Sequence, residues 1–383
     1  MSEHPIVIIG SGLAGYTTAK EFRLLDKNTP LQIFSKQEAC FYSKPLLSTA
    51  LAHHRTPSQL AMMSAQQMTE QLNAAIYSHT AVEYLDVKAK QVVLKSEEKI
   101  TYSRCVLACG SEVIQPLLTG DAADQFYSVN DLEAYERFRG AIAGKKKIVI
   151  LGSGFVGCEF ANDLIMAGYE VTVVSMDAYP LWTRLPSEIG KALQQALSEQ
   201  GVQWIFNARA EAIDKKNEHL LIRLSDQSQL EAEVILSAVG IRPVLQIAKA
   251  SGLNTHRGVV VNEYLQTSDP HVYALGDCAE VSGQTQWFIS PLLHCAKVLA
   301  QRLAGKETQV NFPIMPILVK TPACAISFVP PPACEIVRWE IKQENSNLQA
   351  LCYSERGTLC GFALTGQQTP LRQELIRSMS EKS

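Results

Sequence analysis

Two segments of the chain repeat one order of apolar and polar positions. Residues 5–26, PIVIIGSGLAGYTTAKEFRLLD, pass from a β-branched apolar run through a glycine loop into a stretch with apolar residues at helical spacing. Residues 146–168, KKIVILGSGFVGCEFANDLIMAG, do the same. Each then returns to an apolar run, LQIFS at 31–35 and YEVTVVS at 169–175. Short apolar runs bounded by glycine predict buried strands, and apolar positions three and four apart predict an amphipathic helix. Two strand–loop–helix–strand units are therefore expected.

The same pattern places further elements. VLACG (106–110) and VILSAVGIRP (234–243) are apolar strands running into glycine, each closing one unit. LQTSDPHVYALGDCAE (265–280) predicts a strand ending at Gly276 and Asp277. SPLLHCAKVLAQRLAG (290–305) predicts a helix with Ser290 as N-cap, Pro291 at its first position and Gly305 as its stop. From about Phe312 the character changes, and VKTPACAISFVPPP, WEIKQ and NLQALCYSERGTLCGFALTG predict a strand-rich cap followed by a terminal helix.

Both glycine loops read G-x-G-x-x-G, Gly10-Gly12-Gly15 and Gly152-Gly154-Gly157, in the strand-to-helix context that the motif requires. The first glycine makes the turn, the second lets the backbone approach a pyrophosphate, and the third lets helix and strand pack closely. The helix N-terminus then faces the anion. This spacing predicts two bound dinucleotides. Asp277, at the carboxyl end of a strand in such a sheet, is positioned for polyol or ribityl hydroxyls.

Composition narrows the class. The 383 residues are 46% hydrophobic and 19% charged, ordinary for a soluble globular chain of two or three domains. A formal net charge of −3 favours neither nucleic acid nor an anionic membrane surface. No apolar run reaches the ~18–20 residues that span a bilayer, and the N-terminus enters a strand pattern without a leader, so a cytoplasmic protein is expected. The ten cysteines include no Cys-x-x-Cys, and several sit in apolar runs, as small buried hydrophobes do. No metal site is expected, and His53-His54 reads as a solvated loop or helix start.

With these pieces in place, the chain resembles the flavoprotein reductases with two dinucleotide-binding domains. GSGLAG, VLACG and TSDPHVYALGD look like the family's FAD elements, and GSGFVG with SAVGIRP like its NAD(P)H elements. YSKPLLS, GCEFANDL, ALGDCAE and VKTPAC look specifically like bacterial rubredoxin–NAD reductases. The resemblance implies an α/β fold of glutathione-reductase type, with two Rossmann-like three-layer ββα domains and a small strand-rich C-terminal α+β domain. It divides the chain into a discontinuous FAD domain (1–112 and 245–312), an NAD(H) domain (113–244) and a cap (313–383). FAD and NADH are the implied cofactors. A rubredoxin, or a related small iron carrier, is the implied partner of a monomer or homodimer.

Residue by residue, the resemblance assigns FAD pyrophosphate to Gly10, Gly12 and Gly15, and the ribityl chain to Asp277. It adds Leu13, Phe34, Ser35, Val82, Gly110, Gly276 and Ile289 as cofactor contacts. The second loop, with Gly240, belongs to NADH. Lys320 matches the position from which the cap reaches the flavin, and the helix at Pro291 resembles the one whose N-terminus faces the flavin's pyrimidine edge. Lys44 and Glu159 match a lysine and a glutamate on the nicotinamide side, where an ion pair between them would position both rings. Glu159, two residues after Gly157, reads equally as an acid in the helix's first turn.

Two questions stay open at this point. The usual ribose acid is replaced at both strand ends by serine, Ser35 and Ser175, with Glu38 and Asp177 just beyond. No arginine lies between Ser175 and Tyr179 to clamp a 2′-phosphate, which favours NADH. The other question is the acceptor. In ACFYSKPLLS, Cys40 stands four residues ahead of Lys44, so it reads as a turn-flanking residue rather than a working thiol. Reduction of a ferredoxin or flavorubredoxin is the near alternative. A thiol-dependent peroxidase or oxidase is the alternative of another class, and a non-catalytic redox sensor a third. Alkane degradation and oxidative defence are both compatible pathways.

Overall fold

The computed structural model describes residues 4–332 and 337–381; Cys334 lies outside the described residues. In chain order, the strands of two parallel sheets are β1 (Ile6–Ile9), β2 (Leu31–Phe34), β3 (Ala75–Tyr77), β4 (Arg104–Leu107), β5 (Lys147–Leu151), β6 (Glu170–Val174), β7 (Gln203–Ile205), β8 (Val234–Ser237) and β9 (Val272–Ala274). Three helices carry or flank the glycine loops and the predicted site residues: α1 (Leu13–Leu25), α2 (Phe155–Met166) and α3 (Ile289–Leu303). The C-terminal strands are β10 (Ile317–Val319), β11 (Ile326–Val329), β12 (Val337–Glu344), β13 (Asn347–Ser354) and β14 (Leu359–Thr365).

The chain separates into two compact units, each described by itself. One comprises Met1–Lys44, Ser58–Glu112 and Ile241–Pro313; the other comprises Pro45–Pro57, Val113–Gly240 and Ile314–Ser383. In the first unit the sheet order is β9-β4-β1-β2-β3, all parallel. Strands β1 and β4 are buried along almost their whole length, which is why they read as unbroken apolar runs. Because β2 and β4 flank β1 on opposite sides, the strand order switches direction there. Sheets of this kind take their ligands outside the carboxyl ends of the strands at such a switch point.

In the second unit, β7-β6-β5-β8 repeats this parallel arrangement. Its C-terminal part is an antiparallel sheet, β10-β11-β14-β13-β12, packed on a helix at Arg372–Ser380 through Phe362, Leu364 and Met379. The fold class is the expected one: two Rossmann-like units and a strand-rich C-terminal segment.

Two local expectations are corrected. Helix α3 begins at Ile289, with Phe288 in extended backbone as its N-cap and no side-chain cap. Ser290 therefore lies inside the first turn, because the chain turns helical before reaching the one hydroxyl that could have capped it. Gly305 does end this helix, at φ +86°. Likewise α2 starts directly after Gly154, so Glu159 is its fifth residue and belongs to the second turn.

Candidate functional site

The glycine loops are two near-copies of one structure. Gly10 (φ +118°) donates its N–H to Phe34 O at 2.8 Å, and Gly152 (φ +106°) donates to Val174 O at 2.8 Å. A Cβ on Gly15 would lie 2.0 Å from Gly10 O, and one on Gly157 would lie 2.0 Å from Gly152 O. Any side chain there would push helix from strand. By contrast, nothing lies within 4 Å of a Cβ on Gly12 or Gly154. Both are N-caps without a side-chain bond, so the first N–H groups of α1 and α2 stay available to an anion. A tight turn, an open middle glycine and an uncapped helix start are what a pyrophosphate needs, so the residues present fit FAD and NADH.

Ser35 and Ser175 stand out at the strand ends from the sequence alone, but the bonds by which loop serines brace against them do not. Ser11 Oγ donates to Ser35 Oγ at 2.8 Å, and Ser153 Oγ donates to Ser175 Oγ at 2.8 Å. The next bond repeats too, with Gln37 N and Asp177 N each donating to the strand-end serine at 3.2 Å. The signal was present in the sequence: both loops read G-S-G, and both second strands end in serine.

Further residues of the first unit lie at the ends of its strands and helices. Gly276 (φ +74°) turns the chain after β9 close to α1 and α3, since a Cβ there would meet Ala14 Cβ at 3.0 Å and Leu292 Cδ1 at 3.6 Å. Asp277, in the 3-10 turn that follows, accepts the Ser111 hydroxyl at 2.8 Å, one residue beyond Gly110 (φ +68°). That bond fixes the carboxylate while leaving lone pairs for ligand hydroxyls. The indole N–H of Trp287, just ahead of α3, is buried without a partner among the described residues. Such an orphan donor fits an acceptor atom on a bound cofactor. Leu13 and Ile289 open α1 and α3, Val82 opens the strand Val82–Asp86, and buried Phe34 stacks on Tyr77 with centroids 4.7 Å apart.

In the second unit, one face of α2 carries Glu159, Asn162 and Asp163, spaced so that they lie together. Glu159 accepts the Ser48 hydroxyl at 2.6 Å and the Lys320 N–H at 3.2 Å. Asn162 Oδ1 accepts Ala323 N–H at 3.1 Å. Buried Asp163 accepts the N–H groups of Leu51 at 3.0 Å and Ala52 at 2.8 Å. These side chains tie the segment that follows Lys44 and the segment carrying Lys320 onto the glycine-loop helix. Between them lies a small cavity of about 30 Å³, lined among others by Ser48, His53, Glu159 and Lys320.

Burial pushes the carboxyl of Glu159 up, while Ser48, the Lys320 N–H and the Lys320 ammonium pull it back. Lys320 follows β10 and is exposed overall, yet desolvation by its protein surroundings lowers its pKa against the opposing pull of Glu159. Lys44 opens the 3-10 turn Lys44–Thr49, and Gly240 (φ +127°) accepts the N–H of Ile114 at 2.9 Å through its carbonyl.

Cysteine chemistry is muted near these sites. Burial pushes the Cys278 thiol up to about 11 and Cys295 up to about 12. Cys40 is half-buried beside the Tyr16 hydroxyl, which donates to Ala39 O. Among the described residues, no cluster of three or more His, Cys, Asp or Glu side chains could hold a metal.

Comparison with known proteins gives two profile matches, the pyridine nucleotide-disulphide oxidoreductases over residues 4–296 and the rubredoxin binding C-terminal domain over residues 309–379. A rubredoxin-NAD(+) reductase of Alcanivorax borkumensis is 42% identical over 98% of both chains. A nitric oxide reductase FlRd-NAD(+) reductase of Vibrio vulnificus is 33% identical over 99% of both. Among solved structures, a ferredoxin reductase from Rhodopseudomonas palustris superposes with a TM-score of 0.86 at 24% identity, covering 95% of this chain and 91% of that one. That last likeness concerns the fold.

Proposed function

We propose that this chain, which belongs to the pyridine nucleotide-disulphide oxidoreductase family, is an FAD-dependent reductase that carries electrons from NADH to rubredoxin. The observation that carries this reading is the joining, in one chain, of two glycine-loop units to a segment at 309–379 matching the rubredoxin binding C-terminal domain. FAD, when bound, takes a hydride from NADH and releases electrons singly.

The protein's part is to bind and orient. The loop Gly10–Gly15 holds FAD pyrophosphate at the start of α1, and Asp277, fixed by Ser111, receives ribityl hydroxyls. The loop Gly152–Gly157 holds NADH. Lys44 and Glu159 position the reacting nicotinamide, and Ser48 with the Lys320 N–H orients the Glu159 carboxyl and opposes the upward push of burial on it. The position of Cys40, four residues ahead of Lys44, favours an iron carrier over a disulfide or peroxide acceptor.

A second reading keeps this chemistry with flavorubredoxin as acceptor, favoured by the 33% identity to the Vibrio vulnificus protein. NADH-driven reduction of rubredoxin, flavorubredoxin and ferredoxin by the holoenzyme separates the readings. The highest kcat/KM is expected with rubredoxin, and an equal or higher value with ferredoxin would overturn the assignment. The reading includes a cytoplasmic location, which cell fractionation tests. Among the described residues no helix is long and apolar enough to cross a membrane.

A further inference from the structure

Strands β13 and β14 pair antiparallel, with Cys352 opposite Gly361 and Tyr353 opposite Leu359. That register leaves Cys360 as an extra residue, a β-bulge. Strict alternation would turn Cys360 to the face opposite Cys352. A bulge sets two consecutive residues against one on the facing strand and so breaks the alternation. The two sulfurs accordingly lie 3.9 Å apart, and the Cys360 thiol also approaches Cys352 O at 3.4 Å. Cys352 is fully buried, whereas Cys360 is half-exposed on the strand that leaves an exposed turn.

The geometry points to Cys352 and Cys360 as a peroxide-sensitive thiol pair, with Cys360 the site of attack and Cys352 the resolving partner. The oxidant is a hydroperoxide. The Cys360 thiolate attacks its terminal oxygen, the O–O bond breaks, and the leaving hydroxide or alkoxide takes up the proton that Cys360 released, so the products are Cys360 sulfenic acid and water or an alcohol. Cys352 sulfur then attacks Cys360 sulfur, the S–O bond breaks, and hydroxide leaves with the Cys352 proton as water. Two thiols lose two electrons in total, and one hydroperoxide gains them. Bond formation brings the sulfurs from 3.9 Å to the ~2.05 Å of a disulfide. The bridge would form in the segment matching the rubredoxin binding domain.

Arg356 lies between the two cysteines, so trypsin separates them into peptides 343–356 and 357–372. FAD-loaded enzyme is treated with hydrogen peroxide, alkylated, digested and analysed by mass spectrometry. The expected product is a cross-linked pair of these peptides that dithiothreitol reverses. Cys352→Ser is expected to stop at a Cys360 sulfenic acid that dimedone traps, and Cys360→Ser to abolish the cross-link and leave Cys352 alkylatable only after unfolding. Full alkylation of Cys360 after peroxide would overturn the assignment, as would its bridging to any other cysteine.

Discussion

Ser48 donates its hydroxyl to Oε2 of Glu159 at 2.6 Å, tying the turn that begins at Lys44 to the helix that follows the second glycine loop. A hydrogen bond to an ionised acceptor contributes ~1.5–3 kcal/mol and favours the charged form. With the Lys320 N–H on its other oxygen, Glu159 is held in one orientation on the helix that follows the second glycine loop.

Glu159→Gln and Lys44→Met are expected to slow flavin reduction by NADH about tenfold, equivalent to ~1.4 kcal/mol. Rapid-mixing absorbance at the flavin band measures it, and rates within about twofold of wild type would remove both residues from the account. Ser48→Ala should act through Glu159 alone. It deprives the anion of a donor, so the acidic limb of the kcat/KM profile should move to higher pH while the alkaline limb stays in place.

Burial raises Glu159 and Asp163 above their ordinary values of 4.5 and 3.8. The folded chain thus keeps protons that the unfolded chain has released. Their contribution to stability is complete below those ordinary values and is lost as pH rises through the raised ones. Urea midpoints followed upward from about pH 4 should therefore fall less steeply in Glu159→Gln and Asp163→Asn than in wild type. Asp163→Ala should cost more than Asp163→Asn at every pH, because it strands the Leu51 and Ala52 N–H groups at ~1–3 kcal/mol each.

The open middle glycines separate the two nucleotide functions. A Cβ at Gly12 or Gly154 meets no protein atom within 4 Å, so both valine variants are expected to fold. Gly12→Val is expected to purify without flavin absorbance. Gly154→Val should keep its flavin and accept electrons from dithionite, yet show a reduction rate by NADH lowered at least tenfold. Equal flavin content and equal NADH reduction in the two variants would contradict the assignment of the loops.

Much of this was legible in the sequence because it rests on local rules. The loops at Gly10 and Gly152 declare themselves through spacing and flanking strands, and the β1 and β5 runs read as buried because both faces are covered. What escaped depends on partners distant in the chain. Ser48 and Glu159 are 111 residues apart, and Asn162 and Ala323 are 161 apart, so no local pattern announces either bond. The start of α3 was misplaced for a related reason. Ser290 is a good cap by type, but the extended backbone at Phe288 is set by the preceding strand and turn.

Acceptor docking should be electrostatic. Lys44 and Lys320 are basic residues whose sign suits an acceptor of negative charge, and exposed charges across a partner interface are screened over ~10 Å at 0.1 M salt. Cytochrome-coupled turnover should fall steeply between low and high ionic strength, chiefly through KM. A flat profile would contradict it.

The most direct test of the central claim is stopped-flow reoxidation of NADH-reduced enzyme by rubredoxin, ferredoxin, a disulfide and hydrogen peroxide, side by side and repeated with Cys40→Ser. Rubredoxin should reoxidise the flavin fastest, and the Cys40→Ser trace should overlay that of wild type. Faster reoxidation by the disulfide or the peroxide, or a loss beyond tenfold in Cys40→Ser, would contradict the account and make this a thiol enzyme.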